Sequence, residues 1–359
     1  MPRATSFLWS LLLLTLSNAF AQDNWTAEEF IAATGVRPGS VASRDLPGWT
    51  ANPTIRIIGA AGDIGDLADQ FPAARFIQDD VSDAEVIIGS CPADLIGSSE
   101  KLVWVQIFSA GAERCLSIDE LQSGDVLLTN GQKMSAPAIG EHAIAMSLSL
   151  ARGLVHYGKA MPEGGWDRDW ARTGGIVSVN GKTMLVVGLG GIGSATAKRA
   201  NALGMRVVAT RNSSREGPPY VDYVGLSDEI SDLVAEADII VNALPLTDTT
   251  RGLFDADLFA RVKPGAYFVN VGRGGTVDTN ALLAALESGH LAGAGLDVTD
   301  PEPLPADHPL WQMSNVIITP HVSWAGYDRR YHGMLMRENI RRYLAGESLL
   351  NMVDPEKGY

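Results

Sequence analysis

"MLVVGLGGIGSA", residues 184–195, runs from four apolar residues into a glycine-rich turn and then into small helix formers. Gly188, Gly190 and Gly193 have G-x-G-x-x-G spacing. Alone this spacing is a weak signal, but here it follows a strand and opens a helix over 194–204, the context it requires. Gly188 permits a tight turn, Gly190 lets the backbone approach a pyrophosphate, and Gly193 lets the helix pack close to the strand. With Gly191 and Ile192 they form a loop at a helix N-terminus, where N–H groups and the positive dipole end favour an anion. The stretch reads as a dinucleotide-binding turn; a plain βα turn is the competing reading.

The pattern continues on both sides. Downstream, apolar strands are expected at 206–210, 237–244, 266–272, 294–298 and 315–319, with a helix at 279–289 that takes Thr279 as its N-cap. Strands apolar at every position imply a parallel sheet covered on both faces. Upstream, 54–59, 85–89 and 102–107 are shorter apolar runs that suggest a second, smaller βα sheet. Residues 138–152 read as a buried helix and 161–175 as a loop. The tail 324–350 reads as one helix lying back on the first sheet. The expected class is α/β with doubly wound parallel sheets. Trp166 and Trp170 are expected to pack where the two units meet.

The chain has 359 residues, enough for two domains, and a formal net charge of −14, which argues against nucleic acid and anionic membranes as partners. Residues 1–21 combine one Arg, an apolar stretch Phe7–Leu16 and Ala19-Phe20-Ala21, the pattern of a cleaved secretory signal. Export to the periplasm or medium follows if that signal is real, and a cytoplasmic location otherwise. No membrane attachment is expected after cleavage. Cys91 and Cys115 are the two cysteines. They are expected to be buried free thiols, since a core of this size needs no staple, and neither has metal-ligand spacing.

The strand after the glycine loop ends at Arg211, where an acid would accept hydrogen bonds from a ribose 2′-hydroxyl. An arginine pairs instead with a 2′-phosphate, and Asn212, Ser213, Ser214 and Arg215 supply further donors. NADP is therefore the expected cofactor, with NAD as the alternative. Three later strands end at chemistry-bearing residues: Arg273 between glycines, Glu302 in a Pro-rich loop, and His321 after "NVIITP". In an open α/β sheet, ligands bind at the carboxyl ends of the strands. A cation, a carboxylate and an imidazole converging there suggest a catalytic set rather than three isolated charges.

With GLGGIG (188–193), ALPLTDTTRGLF (243–254), KPGAYFVNVGRGGTVD (263–278), ALLAALESGHLAGAGLDVTDPEPLP (281–305) and NVIITPH (315–321), the chain resembles the D-isomer-specific 2-hydroxyacid dehydrogenases. The resemblance is dense from about 180 to 321 and looser before it. It implies two Rossmann-like domains, with a substrate domain built discontinuously from 22–150 and 323–359 around a nucleotide domain at 151–322. It also implies catalytic roles for Arg273, Glu302 and His321, and cofactor contacts at Pro245, Thr250, Val271, Gly272 and Asp297. The loop Ser109-Ala110-Gly111 should offer N–H groups to a substrate carboxylate. Arg273 would hold and polarise a 2-keto acid, His321 would donate a proton to the forming alkoxide, and Glu302 would orient the imidazole. Glyoxylate or hydroxypyruvate as substrate, and a homodimer, are implied by the family alone. A non-catalytic dinucleotide-binding sensor or interaction protein on the same fold is the rival reading. A third keeps NAD and takes another acid, such as formate or a phosphonate.

Overall fold

The computed structural model describes residues 25–59, 64–78, 83–173 and 175–359; the expected signal at 1–21 lies outside them. Two parallel sheets carry the fold. In the larger, seven strands lie side by side in the order Val316–Ile318, Leu291–Leu296, Ala266–Asn270, Ile239–Asn242, Thr183–Val187, Arg206–Arg211 and Tyr223–Leu226. The chain winds outward from Thr183–Val187 in one direction and then restarts at Ile239–Asn242 on its other side. That junction is the switch point where such sheets open a ligand crevice.

The unbroken apolar runs are explained by burial on both faces. Leu185, Val187, Val208 and Ile240 pack on one side with Phe254, Phe259, Phe268 and Leu282. Their neighbours Met184, Val186, Val207, Ile239 and Val241 pack on the other with Ala197 and Ala200 of the helix Gly191–Ala202. The helix Ala136–Ala151, counted from sequence with the substrate domain, contributes Ile139, Ala143, Met146 and Leu150 to this second layer. Its apolar side thus covers the larger sheet, not the smaller.

The smaller sheet has five strands in the order Arg75–Ile77, Thr54–Ile57, Val86–Gly89, Trp104–Ile107 and Leu127–Thr129. The C-terminal helix returns to it: Met336, Ile340 and Tyr343 pack on Ile55, Ile57, Val86, Ile88 and Trp104. That helix spans only Arg330–Leu344, and the chain then forms a strand, Ser348–Leu350, antiparallel to Pro38–Ala42. Among the described residues, no helix is long and apolar enough to cross a membrane.

Three further expectations are corrected. Cys91 and Cys115 form a disulfide, with Cα atoms 5.7 Å apart. They follow the adjacent parallel strands Val86–Gly89 and Trp104–Ile107, so the loops that carry them begin side by side. Trp166 is 90% exposed rather than packed between units. Trp170 instead stacks on His156 at 4.3 Å and meets Tyr157 edge-on, closing the 154–173 segment on itself and leaving Trp166 uncovered. The N-cap of the helix Thr279–Glu287 is Asp278, whose carboxylate accepts from the Asn280 and Ala281 N–H groups.

Candidate active site

The glycine loop has the geometry its sequence implied. Gly188 ends the central strand at φ +95°, which a side chain would disfavour, and a Cβ there would lie 3.1 Å from the Ala243 carbonyl oxygen across the switch point. A Cβ on Gly193 would lie 2.1 Å from the Gly188 oxygen, so only glycine allows the helix to approach this closely. A Cβ on Gly190 would meet nothing within 4 Å. Open space therefore stands over the start of a twelve-residue helix whose first N–H groups have no intrahelical acceptor. This cradle fits the pyrophosphate of a dinucleotide.

Arg211 lies at the end of the next strand, half-buried. Its Nε donates to the Leu189 oxygen at 3.2 Å, which folds the guanidinium back over the glycine loop and leaves the Nη groups for a phosphate. Asn212 and Ser213 are exposed beside it, and Asn212 Oδ1 accepts from Ser227 at 3.4 Å. Arg215 is committed elsewhere, pairing with Glu229 at 2.7 Å and donating to Tyr223. On the far side of the crevice, the Thr250 hydroxyl donates to the Pro245 oxygen at 2.7 Å and so pins the turn that carries both. Val271 is buried, and Gly272 passes so near Leu244 that a Cβ would lie 2.6 Å from its carbonyl oxygen.

Arg273 follows directly. Its carbonyl accepts from Asn270 Nδ2 at 3.2 Å and from the Thr276 hydroxyl at 2.7 Å, and Asn242 Nδ2 bonds both Asn270 and Thr276. This buried amide network fixes the backbone under the arginine. Asn242 and Asn270 were missed in the sequence, although a polar residue closing each of two fully apolar strands was a visible signal. The guanidinium reaches out of the larger unit: Nε donates to Glu113 Oε1 at 3.0 Å and Nη1 to the Gly272 oxygen at 2.8 Å. Its Nη2 lies over Gly111, where a Cβ would be 1.9 Å away. Arg273 is thus brought onto the Ser109-Ala110-Gly111 loop. That loop is held by Ser109 Oγ donating to the Gly111 oxygen at 2.9 Å, by Asn130 Nδ2 donating to the Ala110 oxygen at 2.7 Å, and by Gly131 N–H donating to the Ser109 oxygen at 2.9 Å. Glu113, with its side chain about one-third exposed, is the second group that sequence reading missed.

His321 Nδ1 and Glu302 Oε1 are 2.6 Å apart, both partly exposed toward the crevice. His321 has φ +52°, an uncommon conformation for a residue with a side chain. Asp297 enforces it. The carbonyl of Asp297 accepts from the His321 N–H at 2.8 Å, while its carboxylate accepts from Thr319 Oγ1 at 2.6 Å and from the Val322 and Ser323 N–H groups at 2.9 and 3.1 Å. Burial alone would raise the Asp297 pKa, but these hydrogen bonds outweigh it and hold the carboxyl below the usual range. His142 from the covering helix adds a contact to Thr319 at 3.0 Å. Trp324 Nε1 donates to the His321 oxygen at 2.9 Å and lies partly exposed beside it. The loops are contiguous: a Cβ on Gly274 would collide with the Thr299 carbonyl, so the Arg273 turn abuts the segment leading to Glu302.

Comparison with known proteins agrees with this geometry. Residues 144–323 match the NAD-binding domain of the D-isomer-specific 2-hydroxyacid dehydrogenases. The chain is 34% identical over 284 residues to an Escherichia coli glyoxylate/hydroxypyruvate reductase B, covering 76% of this chain and 86% of the relative. A D-isomer-specific 2-hydroxyacid dehydrogenase from Xanthobacter autotrophicus, solved with NADPH and MES, superposes with a TM-score of 0.75 at 29% identity, over 86% of this chain and 100% of that one. An NADPH-dependent glyoxylate/hydroxypyruvate reductase from Sinorhizobium meliloti, solved with NADP and sulfate, gives 0.74 at 26% identity over the same shares. A strand-switch crevice with a dinucleotide loop on one side and an Arg, Glu and His on the other thus stands in a chain that belongs to the D-isomer-specific 2-hydroxyacid dehydrogenase family, NAD(P)-dependent oxidoreductases acting on a CH–OH group.

Proposed function

We propose that the chain is an NADPH-preferring reductase of small 2-keto acids, of the glyoxylate or hydroxypyruvate type, with Arg273, Glu302 and His321 as its catalytic residues. The observation that carries this is the pairing of His321 with Glu302 at 2.6 Å beside an arginine seated on the Gly111 loop. A nicotinamide bound in the crevice would supply the hydride. The Arg273 guanidinium binds the substrate carboxylate and draws charge from its carbonyl. Backbone N–H groups of the 109–111 loop complete the carboxylate site. His321, its Nδ1 tied to Glu302, presents Nε2 to the carbonyl oxygen and delivers the proton. Asp297 acts through the His321 loop rather than on the substrate. A turnover panel of 2-keto acids with both reduced cofactors tests the reading: no turnover with any member would favour the sensor alternative, which intact Arg, Glu and His argue against.

NADPH preference rests on Arg211, whose Nη groups are free to make charge-assisted bonds to a 2′-phosphate. R211D should reverse the order of kcat/KM for NADPH and NADH; an unchanged ratio would make Arg211 a surface charge.

We also propose export and a homodimer. Export is supported by the N-terminal charge–apolar–small pattern and by the Cys91–Cys115 disulfide, a bond that persists in oxidising compartments. Mass spectrometry of the native protein should find Gln22 as the first residue; an intact start would refute it. The dimer is supported by Leu154, Met161 and Trp166, 56%, 73% and 90% exposed along one segment. A single-chain mass in solution would overturn it.

A further inference from the structure

Lys133 lies on the segment that carries the chain from the smaller sheet's strand Leu127–Thr129 into the helix Ala136–Ala151, which covers the larger sheet. Its backbone is at φ +74°, a region that residues with a Cβ disfavour. The conformation lays its stem on the glycine loop: a Cβ on Gly191 would lie 2.9 Å from Lys133 Cγ. Gly191 is the first residue of the helix under the pyrophosphate cradle. The Lys133 ammonium donates to the Gly35 carbonyl oxygen, and among the described residues no carboxylate pairs with it. Burial, and then the nearby charges of Arg37 and Arg211, lower its pKa. Two further cations therefore act on this lysine in a chain of net charge −14, with an uncharged carbonyl as its acceptor.

We propose that Lys133 is a cofactor-binding residue whose ammonium leaves Gly35 to bind the pyrophosphate at the Gly190–Gly191 cradle. The assignment rests on the dinucleotide reading of that loop. It divides the anionic load between two sites. Lys133 answers the pyrophosphate, which NADPH and NADH share, while Arg211 answers the 2′-phosphate, which only NADPH carries. The geometry favours this division because the lysine stem crosses Gly191, whereas Arg211 is tied to Leu189 at the end of the neighbouring strand. The exchange costs little at the lysine, since a neutral acceptor is replaced by an ionised one and the bond becomes charge-assisted. Because Lys133 belongs to the linking segment, the contact also couples cofactor binding to the relative setting of the two sheets.

The test separates the two phosphates with two fragments. ADP-ribose carries the pyrophosphate without a 2′-phosphate, and 2′-AMP carries the 2′-phosphate without a pyrophosphate. Binding of each to the full-length protein is measured by calorimetry, with no turnover required. K133M keeps the stem that covers Gly191 and removes only the charge. It should weaken ADP-ribose about ten- to a hundredfold, the worth of one hydrogen bond to a charged group, and leave 2′-AMP unchanged. K133R should restore most of the loss, and NADPH and NADH should weaken by the same factor in K133M. Arg211→Ala should do the reverse, weakening 2′-AMP alone. Unchanged ADP-ribose binding in a K133M protein that unfolds at the wild-type temperature overturns the inference. So does a loss confined to 2′-AMP, which would place the lysine at the other phosphate. If Arg211→Ala leaves 2′-AMP unaffected, it is the NADPH preference that fails, whatever Lys133 does.

Discussion

The two halves of the proposed catalytic set are held in opposite ways. His321 is fixed from within the larger unit, by Asp297 at the end of one strand gripping the loop after the next, and Glu302 of the same unit pairs with it. Arg273 stands on a backbone fixed by Asn242, Asn270 and Thr276, but its guanidinium is placed by Glu113 and Gly111 from the smaller unit. The proposed proton donor is therefore positioned from within the larger unit. The guanidinium proposed to bind the carboxylate has one bond within its own unit, to the Gly272 oxygen, and takes the rest of its placement from the smaller unit. A substrate carboxylate arriving at Arg273 also meets Glu113 there, a like charge beside the site it must occupy.

The sharpest way to break this contrast is to remove each half. H321Q takes away the proposed general acid and should cut turnover by on the order of 10²–10⁴-fold. R273A removes the proposed polarising donor and should cost on the order of 10²–10³-fold, with a larger share in the KM for the keto acid if the carboxylate loses its partner. NADPH binding, followed by fluorescence, should persist in both. Wild-type turnover in either variant would strip that residue of its role.

A smaller change isolates the contact between units. The Gly111 backbone is compatible with a side chain, yet a Cβ there would sit 1.9 Å from Arg273 Nη2 and 2.5 Å from Glu113 Oε2. G111A should therefore displace the guanidinium without disturbing His321. Misplacement by about 1 Å can cost roughly a hundredfold, so kcat/KM should fall by up to about that factor while cofactor affinity holds. A variant as active as wild type would show that the Gly111 contact does not position Arg273.

The same division governs what was legible in the sequence. The larger unit announces itself because its strands are buried on both faces and its glycines sit where the backbone must pass close. Arg273, Glu302 and His321 were readable as strand-end residues before any contact was known. What joins the units was not readable. Glu113 and Arg273 are 160 residues apart, and nothing in "SAGAERC" marks the glutamate as facing an arginine. The strand Ser348–Leu350 pairs with Pro38–Ala42 across the whole chain, with no alternation to betray it. The disulfide was misjudged because the need for a staple was weighed instead of the register: adjacent parallel strands bring their following loops together whether or not the core needs a bond there.

The smallest expected effect concerns how the smaller unit holds the 109–111 loop. His332, on the C-terminal helix, is buried, and its Nε2 meets the Phe108 carbonyl oxygen at 2.8 Å. Phe108 directly precedes Ser109, so the imidazole anchors the loop on which Arg273 rests. Its Nδ1 is buried with no hydrogen-bond partner. Burial pushes the His332 pKa below 6.5, and the bond to Phe108 opposes that push only in part. The folded state thus holds a neutral ring where the unfolded chain would take up a proton near pH 6.5. Between those two pKa values the unfolded state binds more protons, so stability is complete above about pH 6.5 and falls as the pH drops toward the folded value. One proton sets a ceiling of about 1.4 kcal/mol per pH unit on the slope. Carboxylates such as Asp297, whose pKa is lowered, titrate in a more acidic range and leave this window to histidine. H332Q keeps a donor for Phe108 and cannot titrate. Denaturant midpoints measured from pH 7.5 down to about pH 5 should slope less in the variant than in the wild type, and kcat/KM should lose less activity over the same interval. Equal slopes would mean that the imidazole is not the group that loosens the 108–111 loop in acid.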